Sequence, residues 1–554
     1  MNAPEKQQDV FPPTVSEDVT LEHLGYKQEL QRSFSLLDMV GFSFSIVTCW
    51  TALSGVFIIG VTAGGPPVMV FGWLGVCAIT LTVALSMAEM CSQWPVAGGQ
   101  YSWVALLAPP KISRPLSYIT GWFMLTGVLA MGAVNNSICA NFILGQANLV
   151  FPSFTIERWH TVLVTYAVAF ASLLVNVFAP HLLNKLSRSI LIWNITSFVI
   201  IVATLLATNT NKQPASFVFR DFQNFTGFAQ SMATIIGILQ SLFGMCCYDA
   251  PSHMTEEMKY PSRDAPKAMV LSVGMGAVTG FIFLLVLCFC IGDIDTTASS
   301  STGVPVLQIF YDSTGNKVGT CFMGSMITVI CLVCAVSLVA EGSRSLFAFA
   351  RDRGLPFSMF LSKVTGGKRH IPFNAICATV LVQIAFNSIY FGTVTGFNTI
   401  ISIATTGFYI SYALPLLSRL LGHITSSSPS ESTFKFTGPF HLHSTLSLTL
   451  NTIGLLFLLF AFVTFNFPSE APVNEENMNY TSAAIGVIAF LGTGTWFLEA
   501  RGRFTGPVNV EVVEVVEGIG ENRSGVENEA EGAVTVSGNG ERGEIGKEVK
   551  QVES

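Results

Sequence analysis

Five carboxylates sit in or beside strongly apolar text: Asp38, Glu89, Asp249, Glu256 and Glu341. An acid removed from water favours its protonated form, so such groups can load and release protons. The same acids can instead hold Lys or Arg in ion pairs that open and close a gate. Glu341 stands three residues before Arg344, a spacing that places both on one helix face. We expect gating ion pairs from Glu341, Arg344 and Glu89, and a proton site at Asp249. Enzymatic chemistry has little to work with, because the histidines near apolar runs, His160, His181 and His253, are scattered. No G-x-x-x-x-G-K-[ST] loop occurs, so nucleotide-driven pumping is not indicated, and no cofactor or metal is implied.

A second group of residues breaks helices rather than carrying charge. In FSFSIVTCWTALSGVF, Ser43, Ser45, Thr48, Thr51, Ser54 and Gly55 crowd one apolar run. Unwinding near Trp50–Gly55 would turn free N–H groups inward, and a half-helix N-terminus of that kind holds a carboxylate. Packing of small residues against a neighbouring helix is the competing explanation. Further on, Gly244, Asp249 and Pro251 interrupt a run that is apolar from Ile235. Proline disfavours helical geometry in the residue before it and removes a donor from the ladder. Two interrupted helices at matching positions point to a transporter site. In AVNNSICAN, Ser137 and Asn141 share a face that either lines a solute path or bonds to a neighbouring helix.

These residues need long helices to position them. Half of the 554 residues are hydrophobic and 11% are charged, against about 25% charged in soluble domains, and the mean hydropathy is +0.55. The balance excludes a soluble multidomain enzyme. A net charge of −7 without a basic stripe excludes a nucleic-acid binder. A membrane helix needs about 20 apolar residues. Twelve such runs cover 38–63, 67–94, 116–145, 160–180, 189–208, 228–250, 267–291, 318–342, 373–393, 397–421, 447–466 and 481–499. Strand-like alternation over about ten residues is lacking, so a barrel is not expected. The fold class is all-α and multi-spanning.

Orientation follows from the basic residues. With the N-terminus in the cytoplasm, 24 of the 28 Lys and Arg fall inside and 4 outside. Both termini are then cytoplasmic, and the sequons at Asn224 and Asn479 fall outside. We divide the chain into an N-terminal tail (1–35), a twelve-helix transporter domain (36–500) and an acidic tail (501–554) too polar to build a core. The first thirty residues contain no apolar segment of a cleaved signal peptide. Of the twelve Cys, Cys77, Cys288, Cys290, Cys321, Cys331, Cys334 and Cys377 lie in apolar runs as small hydrophobes, and vicinal Cys246–Cys247 lacks metal-ligand spacing.

Four segments carry a family resemblance. LSGVF (53–57) resembles the G-S-G-V-F core of the amino acid–polyamine–organocation superfamily, with Leu53 in place of the first Gly. AEMCSQWPVAGGQYSW (88–103) resembles its E-x-x-x-x-x-P-x-x-G-G-x-Y element, and AEGSRSLFAFARDRGLP (340–356) its S-R-x-x-x-A-x-A-R-D-x-x-L-P element. YDAPSHMTEE (248–257) is similar to the fungal amino acid, GABA and choline permease branch.

The resemblance implies a five-plus-five inverted repeat with broken helices 1 and 6, two extra helices, and a pocket between helices 1, 3, 6, 8 and 10. It implies that Thr51, Ser54 and Gly55 meet a substrate carboxylate. Phe243 and Gly244 would form a gate and a carbonyl end for an amine. Trp50 and Tyr248 would face a cationic head group. The implied function is secondary transport of an amine-bearing solute across a lipid bilayer, with a proton as coupling ion. An amino acid or GABA ranks first, and choline or polyamine second. A nutrient sensor that binds without transport is the alternative class. The plasma membrane is the expected location, and no address motif excludes the vacuole.

Overall fold

The computed structural model describes residues 21, 25–47, 49–365, 370–425, 433–475, 477–504 and 506. Most of the N-terminal tail, Thr48 and the acidic C-terminal tail therefore lie outside the described residues. Each of the twelve apolar runs carries a helix. Span 1 is described as Leu36–Val47 and Cys49–Thr62, span 2 is Gly65–Gln93, span 3 Pro110–Val150 and span 4 Arg158–Phe178. Span 5 is Leu183–Thr208, span 6 Gln230–Gly244, span 7 Pro261–Cys290 and span 8 Lys317–Arg351. Spans 9 to 12 are Phe373–Gly392, Val394–Thr425, Ser444–Thr464 and Thr481–Thr495, the last continuing through a π turn to Ala500.

Eleven of these helices are long and apolar enough to cross a membrane. Span 6 falls short because its regular helix ends at Gly244 after 15 residues. Span 3, expected over 116–145, runs for 41 residues. Hydropathy marks only the lipid-matched part of a helix, whereas the backbone ladder continues through Lys111 and Arg114 beyond it.

Helices of equal rank in the two five-helix sets pack together: span 2 with 7, 3 with 8, and 4 with 9. The first half of span 6 lies against the second half of span 1. This pairing is what two inverted halves produce. Spans 11 and 12 pack outside the ten, against spans 2 and 10 and against spans 3 and 10. Span 3 is central, with 89% of its most apolar window buried, and span 12 is peripheral at 17%. Outward-facing Phe71, Ile192, Leu381 and Phe490 are exposed, as lipid-facing side chains must be in an apolar solvent.

Candidate functional site

Span 6 is interrupted where it packs against span 1. Span 6 ends at Gly244, and Cys247 turns into the left-handed region at φ 63° before a short helical turn, Ala250–His253, resumes. The break falls within the interval that Gly244, Asp249 and Pro251 mark in the sequence, and Pro251 itself sits in the first turn of the new helix. A missing N–H costs nothing there. In span 1 the expected unwinding at Trp50–Gly55 is not found, because Cys49–Thr62 is helical throughout.

Between spans 1, 3, 6 and 8 lies a narrow cavity of about 30 Å³, well below the about 300–1,000 Å³ common for pockets that hold a small molecule. Thr51 and Ala52 line it from span 1, Met131, Asn135 and Ile138 from span 3, and Phe243 with Cys246 and Cys247 from span 6. Cys331 and Cys334 on span 8 close it. No lining residue carries a formal charge. The last turn of Gln230–Gly244 ends at this cavity, so the negative end of its dipole faces the space.

The sequence-derived substrate residues divide accordingly. Thr51 and Phe243 line the cavity. Gly55 borders it, since a Cβ there would lie 3.1 Å from Ile138. Ser54 turns its hydroxyl back to the Trp50 carbonyl at 3.2 Å. Gly244 backs onto Leu53 and Trp73, where a Cβ would come within 3.1 Å and 2.8 Å. Leu53 thus packs under the span 6 break rather than in the cavity. Trp50 points to span 5, donating from Nε1 to Asn194 Oδ1 at 2.7 Å. Tyr248 stacks on Tyr412 of span 10, ring centroids 4.9 Å apart. On span 3, Ser137 accepts from Asn387 of span 9 at 3.0 Å. The polar residue of that segment that reaches the cavity is Asn135, which also donates to the Cys331 carbonyl.

Directly beyond Cys247 lies a fully buried polar cluster. Asp249 Oδ1 accepts from Tyr412 at 2.5 Å, and Oδ2 accepts from Gln100 and lies 3.2 Å from His253 Nε2. His253 Nδ1 is 3.0 Å from the Ala97 carbonyl. Gly99, at φ +55°, admits this approach, since a Cβ would lie 2.8 Å from the imidazole. Glu341 completes the group: ligand-capable atoms of Asp249, His253 and Glu341 lie within 4.8 Å of one another. No metal site was expected here; among the described residues, these three are the titratable groups whose ligand-capable atoms gather this closely.

The end of the bundle where span 1 begins is tied by ion pairs. Glu89 Oε2 meets Arg419 at 3.0 Å and accepts from Ser447 at 2.5 Å, while Oε1 accepts from the Leu442 amide at 2.8 Å. Arg419 also lies over the rings of Phe434 and Phe436. The expected Glu341–Arg344 pair does not form. Arg344 turns to Glu257 at 2.6 Å, because the polypeptide after the span 6 break delivers an acid to its other side. Arg351 holds Glu256 with two hydrogen bonds, of 3.0 and 2.7 Å. Asp38 pairs with Arg188.

Over these pairs lies the described part of the N-terminal segment. Tyr26 donates to Asp352, as does Tyr101 at 2.8 Å, and Gln28 donates to the Glu256 carbonyl. Burial pushes the Asp352 carboxyl up to about 7, although Arg351 and the two tyrosines pull it down.

Sequence reasoning missed Asn135, Cys334, Gln100, Glu257, Arg419 and Asp352 as functional candidates. Three of these carried a motif signal: Gln100, Glu257 and Asp352 lie inside the quoted motifs. Asn135 lies in AVNNSICAN, the segment already read as a candidate lining of a solute path, whereas Arg419 gave no signal beyond being polar in an apolar run.

Residues 34–490 match the family model described as amino acid permease. The chain is 61% identical over 448 residues to a Macrophomina phaseolina protein named for amino acid/polyamine transport, covering 80% of this chain and 97% of that one. It is 30% identical to an amino-acid permease of Oryza sativa subsp. japonica, covering 88% of this chain and 95% of that protein. A choline transporter of Saccharomyces cerevisiae is 31% identical, with 82% and 79% covered.

Proposed function

The chain belongs to the amino acid permease family, a family of transporters rather than enzymes, and from that premise we propose that it carries a small amine-bearing solute by alternating access. Transmembrane transport of amino-acid-like solutes is the family's shared activity; the solute, the coupling ion and the mechanism are our reading. The observation that carries it is the uncharged cavity where the span 6 break faces spans 1, 3 and 8. An ammonium group there meets the carbonyl end of a half-helix, and Thr51 and Asn135 offer polar contacts.

An amino acid or GABA ranks first. Quaternary ammonium is best held by an aromatic cage, and Phe243 is the aromatic ring in this lining, with Trp50 and Tyr248 turned to spans 5 and 10. Choline ranks second, supported by the yeast relative, and polyamine stands beside it through the Macrophomina one. The ion-paired end is the cytoplasmic one by its excess of Lys and Arg. We place the protein in the plasma membrane with both termini inside, and proton entry down the gradient as the driving reaction. Glu89–Arg419, Arg344–Glu257 and Arg351–Glu256 then form the closed inner gate.

Radiolabelled uptake into cells lacking their own permeases tests this reading. GABA, neutral and basic amino acids, choline and spermidine are compared at pH 5 and 7.5, with and without a protonophore. Saturable uptake of one solute, faster at pH 5 and lost with the protonophore, is expected. No uptake of any solute by protein at the cell surface would overturn the transporter reading in favour of a sensor.

A further inference from the structure

Glu341 is fully buried, and neither of its carboxyl oxygens has a hydrogen-bond partner. The groups facing it are Asp249, His253 and the thiols of Cys246, Cys247 and Cys334. The nearest basic residue on its own helix, Arg344, is occupied by Glu257. Among the described residues, no cation neutralises it.

Protons in this cluster can be counted. The Ala97 carbonyl only accepts, so His253 Nδ1 carries a hydrogen. The contact between Nε2 and Asp249 Oδ2 then requires one proton, on either atom. The histidine–aspartate pair is thereby neutral as a unit. An ionised Glu341 would add an uncompensated buried charge, whereas the neutral acid adds none.

We propose that Glu341, rather than Asp249, is the group that carries the coupled proton, with the His253–Asp249 pair positioning it. This rests on the transport reading above. In the conformation described, Glu341 is the loaded acid beneath the cavity floor at Cys246 and Cys247. A proton from external water forms the O–H bond through the cavity. That bond breaks to cytoplasmic water once Arg344–Glu257 and Arg351–Glu256 part and the cluster is hydrated. The neutral pair beside it keeps a negative charge on Glu341 unfavourable until water arrives.

The test uses the full-length purified protein. Infrared difference spectra at neutral pH, with deuterium exchange, report protonated carboxyls directly. A band that is lost in Glu341→Gln and kept in Asp352→Asn is expected in the parent protein. In proteoliposomes supplied with GABA, alanine, arginine or choline, Glu341→Gln retains exchange of the transported solute. It loses acceleration by an inward pH gradient, and Glu341→Asp restores part of it. An unchanged carboxyl spectrum in Glu341→Gln, or pH-gradient acceleration retained by that variant, overturns the proposal. Uptake that requires Na⁺ at fixed pH, with that requirement abolished by Glu341→Gln, makes the cluster a metal-cation site and also overturns it. A parent protein that transports none of the four solutes refutes the transport reading, and the infrared result then decides the state of Glu341 independently.

Discussion

Glu89 and Glu341 are both glutamates on membrane helices, both buried, and both read from the sequence as gate residues. Their surroundings differ completely. Glu89 is met by Arg419, Ser447 and the Leu442 amide, so each carboxylate oxygen has a donor. Glu341 has no donor, and its neighbours are another acid, an imidazole and thiols. The first arrangement fixes a charge in place and ties spans 2, 10 and 11. The second leaves an acid whose charge can change when water reaches it. Burial alone therefore does not define a role; the inventory of partners does.

The comparison breaks most severely at Arg419. Replacing it by Met strands the Glu89 charge, and loss of one partner of a buried pair costs about 3–5 kcal/mol. Thermal unfolding in detergent, or yield at the cell surface, should register that loss. A cost below about 1 kcal/mol would mean that Glu89 is not held as a charge.

Asp352, at the end of span 8, sharpens the contrast because it lies between the two extremes. Its carboxyl is raised by burial to about 7. The folded state therefore binds a proton that the unfolded state releases between about pH 4 and 7. Stability from this group is greatest at low pH and declines as pH rises through that window, by up to about 1.4 kcal/mol per pH unit. Asp352→Asn should flatten the fall in melting temperature between pH 5 and pH 7. An identical slope would remove Asp352 from the account.

Tyr26→Phe removes one of the two phenol donors to Asp352. We expect a loss of about 1 kcal/mol and faster proteolysis of the N-terminal segment, measured with the full chain in detergent.

The smallest effect belongs to Glu341→Gln. It replaces a neutral acid by a neutral amide of the same shape, and we expect less than about 1 kcal/mol by the same melting assay. A stabilisation of several kcal/mol would indicate that an ionised, uncompensated Glu341 had been present.

Much of this molecule was legible without coordinates. Twelve apolar runs became twelve helices because the lipid-matched length leaves a helix few alternatives. The motif segments at 88–103, 248–257 and 340–356 converge in space: Gln100, Asp249, His253 and Glu341 form one cluster, and Glu256 and Glu257 meet Arg351 and Arg344. The partners themselves were not legible. Three-residue spacing suggested Glu341–Arg344, but a competing acid arrives from a segment 87 residues away in sequence. Trp50 and Tyr248 were plausible cage residues by type, yet helical phase turns Trp50 to Asn194, and the non-helical break in span 6 sets Tyr248 against Tyr412. Asn135 and Cys334 reached the cavity through the phase of long helices, which composition does not reveal. The break in span 6 was recognised from Gly244, Asp249 and Pro251, and its left-handed turn falls between the first two, at Cys247.

The central claim is that solute passes through the cavity between spans 1, 3, 6 and 8, and Ala52 offers the most direct test. It lines that cavity and is partly exposed to it. Ala52→Trp would fill the space while leaving every ion pair described above untouched. Saturable uptake of the solute by the parent protein and its loss in Ala52→Trp, with equal amounts of both at the cell surface, is the predicted result. Uptake of undiminished rate and affinity in Ala52→Trp would contradict the account and place the solute path elsewhere.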